Sequence, residues 1–222
     1  MRAKTAAIIG ATGMVGNYLL QELANDPYFE TIRVIVRRPF VKTNDKIEVK
    51  LVDFNDYESL KLAIDGSDVL FCLVGTTQKK VKGDTDLYRK IDFDIPVKAA
   101  RMCKETGCEK FVIITSVGAD SKSKNFYLRL KGEVEDAIAN SGLESIHIMQ
   151  PSILLGERKE TRTGEQIGKA VMNGVSFLMI GSLRKYKPLH GRNVARAMIN
   201  VSKNNIKGIH RYGYNEIKNL SQ

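Results

Sequence analysis

The sequence predicts an α/β fold: a doubly wound, mostly parallel sheet with helices on both faces and a small C-terminal extension. Three observations carry this. Short Val/Ile-rich runs alternate with helical patterns as far as about residue 150, the order expected of parallel strands joined by right-handed crossovers. Runs such as Phe111-Val112-Ile113-Ile114 are apolar throughout, as strands covered on both faces are. A glycine-rich turn closes the first apolar run, where a strand must give way sharply to a helix.

The elements follow in order. Ala6 to Ile9 is the first strand, Met14 to Asn25 a helix and Ile32 to Val36 the second strand. Ile47 to Val52 and Val69 to Val74 are strands three and four, separated by a helix over Tyr57 to Ile64. Asp65-Gly66-Ser67 stops that helix. Leu87 to Thr106 is a long helical stretch in which Pro96 marks a bend or a restart. Phe111 to Thr115 is a fifth strand, Phe126 to Ala139 a helix stopped at Ser141-Gly142, and Ser145 to Met149 a sixth strand.

After Pro151 a polar loop, Gly156 to Gly164, leads to an amphipathic segment over Glu165 to Met172. An apolar stretch, Pro188-Leu189-His190-Gly191, a helix over Asn193 to Ser202 and a strand over Gly208 to Tyr212 complete the chain. No repeat or linker divides it, so one domain is expected, with a core over about 1–150 and an extension over about 151–222. In open α/β sheets ligands lie beyond the carboxyl ends of the strands, which places that extension on the substrate side.

With 222 residues, 43 % apolar and 27 % charged, the composition is that of an ordinary globule. Cys72, Cys103 and Cys108 are too few and too scattered for a disulfide framework, and no His or Cys pair completes a metal site. They read as reduced, buried thiols. No apolar run approaches the ~20 residues of a membrane span, and the first strand begins within a few residues of Met1. A cytoplasmic location is expected on those grounds. The net charge of +10 is spread along the chain, with local clusters only at Lys79-Lys80-Val81-Lys82 and Ser121-Lys122-Ser123-Lys124. That pattern fits attraction for acidic or phosphorylated small molecules better than a dedicated nucleic-acid surface.

Gly10-Ala11-Thr12-Gly13-Met14-Val15-Gly16 has the glycines where a phosphate cradle needs them. Gly10 allows the sharp turn, Gly13 the close approach of backbone to phosphate, and Gly16 tight helix–strand packing, though the spacing is G-x-x-G-x-x-G. Arg37 and Arg38 end the second strand, where an NAD enzyme usually carries an acidic grip on the ribose 2′-hydroxyl. Guanidinium groups there suit a 2′-phosphate, so NADP(H) is the expected cofactor. Asp53 either hydrogen-bonds the adenine amino group or simply marks a helix entry. Gly75, in Val74-Gly75-Thr76-Thr77, is expected to let backbone pass close to the cofactor.

Tyr127 and Lys131 lie four apart on one helix face, with Ser116 in the strand–loop before them. A free phenol has a pKa of ~10, and a nearby ammonium favours its ionised form. Tyr127 is therefore read as the acid/base, Lys131 as the group that tunes it and holds the nicotinamide ribose, and Ser116 as a donor to the substrate oxygen. The expected reaction moves a hydride between NADP(H) and a small carbonyl or alcohol.

These segments resemble the short-chain dehydrogenase/reductase superfamily in its atypical branch, and more closely the Tat-interacting-protein family of NADPH-binding oxidoreductases. The matching stretches are the glycine turn, Val36-Arg37-Arg38, Phe71 to Thr77, Thr115 to Asp120, Asn125-Phe126-Tyr127 with Leu130 to Glu135, and Gln150-Pro151-Ser152 through Gly156-Glu157-Arg158. The resemblance implies an NAD(P)-binding Rossmann fold and cofactor contacts from Thr12, Gly13, Met14, Val15, Arg37, Arg38, Val74, Gly75, Tyr127 and Lys131. It also brings in Arg158 as a phosphate or ribose contact. An alternative it carries is an NADPH-binding regulator that engages a protein partner with little turnover. A homodimer through the flanking helices is compatible with either role. His190 stands where it could face the cleft, whereas His147 reads as a core-edge or surface residue. Met172 and Met179 read as apolar filling near the substrate.

Overall fold

The structure, a computed structural model, describes residues 3–157 and 181–222. Its first half runs β1 (Lys4–Ile9), α1 (Met14–Asn25), β2 (Phe29–Val36) and β3 (Ile47–Leu51). Then come α2 (Tyr57–Ile64), β4 (Val69–Cys72), α3 (Thr85–Arg89), α4 (Ile95–Glu105), β5 (Lys110–Ile114), α5 (Phe126–Ala139) and β6 (Ser145–Met149). The chain ends with β7 (Leu154–Leu155), β8 (Leu189–His190), α6 (Gly191–Lys203), β9 (Gly208–Tyr212) and α7 (Tyr214–Leu220).

Seven strands form one parallel sheet in the order β3-β2-β1-β4-β5-β6-β9. The chain winds outward from β1 to β3, then crosses to β4 on the other side of β1. That reversal opens a crevice at the carboxyl ends of β1 and β4, where open α/β sheets take their ligands. Alternating residues of each strand feed two cores. Ile8, Val34, Phe71 and Val112 pack under Leu19 and Leu23 of α1 and Val194 and Met198 of α6. Ile9, Leu70, Phe111 and Ile113 pack under Leu60 of α2, Met102 of α4 and Ile138 of α5. Each such side chain contributes roughly 1.5–3 kcal/mol by leaving water, so the sheet is anchored firmly from both faces.

The long helical stretch is broken where Pro96 stands. A regular helix would need an N–H at position 96 for the carbonyl of Asp92, and proline has none. The chain instead makes one wide π-type turn over Lys90–Asp94, and α4 restarts with Pro96 in its first turn. Of the stretch after residue 150, α6 packs on α1 and β9 extends the main sheet beside β6, while β7 and β8 form a separate two-stranded pair. The amphipathic segment expected over Glu165 to Met172, together with Met179, lies outside the described residues.

All three cysteines are buried, and burial pushes the Cys72 thiol up to about 12. His147 is fully buried rather than at the core edge. Ser145 Oγ gives its proton to the Ile206 carbonyl at 2.8 Å, so it accepts from His147 Nε2 at 3.1 Å, and His147 Nδ1 takes the Tyr212 hydroxyl at 2.8 Å. The neutral ring is satisfied on both sides. Burial, then the neighbouring charges of His210 and Lys110, lower its pKa to about 4.

The unfolded chain binds this proton near the ordinary histidine value of 6.5, the folded chain only near 4. The stability contributed by neutral His147 is therefore complete above pH 6.5 and lost as pH falls through about 4. The loss is at most about 1.4 kcal/mol per pH step. Urea titrations at stepped pH should show the midpoint falling over this window, and falling less in His147→Gln. An identical slope in that variant would assign the acid sensitivity to other groups.

Candidate functional site

Two glycines bring the crevice together. Gly10 follows β1 with φ +93°, and a Cβ there would lie 2.7 Å from the backbone of Leu73, at the end of β4. A Cβ on Gly16 would come within 2.2 Å of the Gly10 carbonyl oxygen. The end of β1, the start of α1 and the end of β4 are thus in mutual backbone contact. Gly13 caps α1 without a side-chain bond, and no acidic residue stands in the first turn. The first N–H groups of any helix lack intrahelical partners and attract anions. Thr12 is exposed, Val15 buried in the core, and Met14 lies against Gly156 and Gly191.

Arg37 and Arg38 are exposed just past β2. A cavity of about 610 Å³ opens beside them between α1 and residues 39–44, lined by Thr12, Asn17, Gln21, Phe40 and Asn44 among others. Asp53 is exposed and accepts from both the backbone and the side chain of Asn55 at 2.9 Å, while Asp56 is the N-cap of α2. Val74 packs on the second core. At Gly75 a Cβ would meet nothing closer than Asp92 Oδ2 at 3.8 Å, so packing within the chain does not demand glycine there. Arg158 lies outside the described residues.

On the other side of the crevice stands α5. Asn125 caps it by accepting from the Leu128 N–H at 3.1 Å. Its first turn carries Tyr127, 39 % exposed, and its second Lys131, 5 % exposed. The Lys131 ammonium lies 5.8 Å from the centre of the Tyr127 ring. Ser116 follows β5 and donates to the Val117 carbonyl at 3.3 Å, and the Val117 N–H reaches the Pro151 carbonyl at 3.0 Å. His190 does not join these residues. It caps α6 by accepting from the Arg192 N–H, with its ring 5.2 Å from that of Tyr18.

Two buried carboxylates were not singled out from the sequence. Asp92, 1 % exposed on the wide turn, accepts from Lys131 Nζ at 2.8 Å and from the Thr76 N–H at 2.6 Å. Glu135, on the same face of α5, accepts from Thr115 Oγ1 at 2.7 Å, Gln150 Nε2 at 2.8 Å and Arg211 Nε at 2.8 Å. It ties α5 to the ends of β5, β6 and β9. For Asp92 the local signal is Pro96, four residues on, and Asp92 itself stands among Arg89, Lys90 and Asp94 in the same helical stretch. Among the described residues no three His, Cys, Asp or Glu groups could hold a metal, and no helix is long and apolar enough to cross a membrane.

Comparison with known proteins gives the family and the fold. A family model described as NAD(P)H-binding matches residues 10–176. Protein HTATIP2 of Rattus norvegicus is 33 % identical over 172 residues, covering 76 % of this chain and 70 % of the relative. Protein FMP52, mitochondrial, of Candida albicans is 31 % identical over 206 residues, covering 90 % and 89 %. Its Saccharomyces cerevisiae counterpart is 30 % identical over 202 residues, covering 89 % and 87 %. Among solved structures, WbmH of Bordetella bronchiseptica in complex with NAD+ superposes with a TM-score of 0.72 at 14 % identity, covering 99 % of this chain and 80 % of that one. Uronate dehydrogenase from Agrobacterium tumefaciens gives 0.71 at 13 %, covering 95 % and 76 %. These two share the fold.

The relatives correct one expectation. The FMP52 proteins are named as mitochondrial, so the cytoplasmic location expected from the sequence does not stand. By its family match and its relatives, this chain belongs to the NAD(P)H-binding family of HTATIP2 and FMP52, atypical members of the short-chain dehydrogenase/reductase superfamily.

Proposed function

We propose that this chain is an NADPH-dependent oxidoreductase that interconverts a small carbonyl compound and its alcohol. The observation that carries the reading is the placement of Tyr127 and Lys131. An exposed phenol and a buried ammonium share one face of α5, with Lys131 bonded to the carboxylate beside Gly75. When bound, the cofactor supplies or accepts the hydride. Tyr127 gives its proton to the carbonyl oxygen in the reductive direction and recovers it in the other. Ser116 donates to that same oxygen as charge develops on it. Lys131 has donors left after bonding Asp92, and these hold the ribose hydroxyls nearest the reacting ring.

The residues present fit such a cofactor. The start of α1 is capped by Gly13 without a side chain, which leaves room for a pyrophosphate over its N–H groups. Gly75 lacks a side chain where nothing in the chain forbids one. Arg37 and Arg38 supply positive charge for a 2′-phosphate at the far end of the crevice, and Asp53 stands at the β3 end for the adenine. Arg37→Ala should therefore weaken NADPH binding by roughly ten- to a hundred-fold and leave NADH nearly unchanged, as read from the fluorescence of the bound dihydronicotinamide. Equal losses for the two cofactors would refute the NADPH assignment.

A further inference from the structure

Asp92 makes two bonds that only a carboxylate can make at once. Its Oδ1 accepts from the Thr76 N–H at 2.6 Å and its Oδ2 from Lys131 Nζ at 2.8 Å. Both side chains of the ion pair are shut away from water, 2 % exposed for Asp92 and 6 % for Lys131. Asparagine has a single acceptor oxygen, so it would leave one of the two donors facing an NH2 group. The pair also spans three separate parts of the fold. Asp92 rides on the wide turn ahead of α4, Lys131 belongs to α5, and Thr76 follows Gly75 past the end of β4. The turn itself arises because Pro96 interrupts the helical ladder, so the local sequence delivers this carboxylate inward.

We propose that Asp92 is a positioning residue for the nicotinamide half of the cofactor site. It fixes the ammonium of Lys131 and the backbone of Gly75–Thr76 in one frame, and its carboxylate keeps the lysine side chain pointed. With one ammonium proton committed to Asp92, the other two remain for ligand hydroxyls. The direction of the ammonium is set before any ligand arrives. The inference rests on the reading of Lys131 as the group that holds the nicotinamide-side ribose.

The test compares two probes on the full chain. NADPH spans the whole site, whereas adenosine 2′,5′-bisphosphate carries the adenine, its ribose and the 2′-phosphate but no nicotinamide ribose. Asp92→Asn should weaken NADPH at least ten-fold and leave the bisphosphate within two-fold of the unaltered protein. A merely structural role would weaken both alike or neither, and either result would overturn the proposal. Should Asp92→Asn not fold, Asp92→Glu keeps the charge and moves the ammonium by one methylene. It should weaken NADPH three-fold or more at an unchanged melting temperature, again sparing the bisphosphate. Wild-type affinity of Asp92→Glu for NADPH would contradict the positioning role. If the unaltered protein binds neither probe, the cofactor reading itself fails, an outcome separate from a failure of Asp92.

Discussion

Tyr127→Phe is expected to lower carbonyl reduction by about 10²–10⁴-fold, the usual scale for loss of a general acid. The substitution removes one oxygen and nothing else. Tyr127 is 39 % exposed at the start of α5, so its ring opens no cavity when the hydroxyl goes. The ring remains to face Lys131, and the ion pair of that lysine with Asp92 is untouched. Melting temperature should therefore stay within a degree or two, and NADPH affinity within a few-fold. The loss belongs in turnover, since the proton is moved only as the carbonyl reacts. Steady-state rates with a panel of aldehydes, ketones and quinones provide the measurement. Full reductase activity in Tyr127→Phe would remove the phenol from the mechanism.

Gly132→Ala is expected to be the most damaging single methyl in the site. Its Cβ would lie 2.1 Å from the Ser121 amide nitrogen, 2.3 Å from the Asp120 carbonyl carbon and 2.7 Å from the Asp120 Cα. These are backbone atoms, which cannot swing aside as a side-chain tip can. The 118–124 loop must leave α5, and with it the bond from the Asp120 N–H to the Leu128 carbonyl at 3.1 Å. Overpacking costs typically ~1–3 kcal/mol, and backbone contacts place this case near the top. In a chain of this size ~3 kcal/mol lowers the melting temperature by roughly 6–12 °C. The displaced loop joins Ser116 to Tyr127, so activity should fall further than stability explains. A melting temperature equal to that of the unaltered protein would show the loop to be more yielding than its packing implies.

Much of the fold was legible because its punctuation is chemical. The helices at Met14–Asn25, Tyr57–Ile64 and Phe126–Ala139 have the bounds expected from sequence. Gly13, Asp56 and Asn125 each sit at a start, and two of them cap with a side-chain oxygen. The strand over Ser145–Met149 is buried along its whole length; Ile146, Ile148 and Met149 supply its apolar signal, while the polar Ser145 and His147 are satisfied inside it. By contrast α7 was not anticipated, and Ile217 is its one buried residue, too little for a periodic signal. His147 looked like an edge residue because its partners, Ser145, Tyr212 and His210, converge only once β9 lies beside β6. Asp92 escaped for the same reason. Pro96 signalled a break in the helix, but nothing local reveals that the break carries a carboxylate to a lysine 39 positions away.

The need for glycine in the first turn was legible, whereas no contact within the chain accounts for Arg37 and Arg38. Gly10 and Gly16 are required by backbone contacts within the chain itself, so their spacing had a structural cause. Arg37 and Arg38 end an exposed strand terminus, and their expected role rests on charge and position alone. The Arg37 comparison above therefore carries more weight for NADPH than the glycine pattern does.

One measurement bears on hydride transfer itself. The protein would be mixed in single turnover with NADPH deuterated at both C4 positions and the carbonyl panel, and the alcohols analysed by mass spectrometry. A reductase that uses Tyr127 should place one deuterium on the carbinol carbon of at least one product, and Tyr127→Phe should slow the appearance of the label by about 10²–10⁴-fold while still binding NADPH. Tight NADPH binding with no label in any product, or undiminished labelling by Tyr127→Phe, would contradict it.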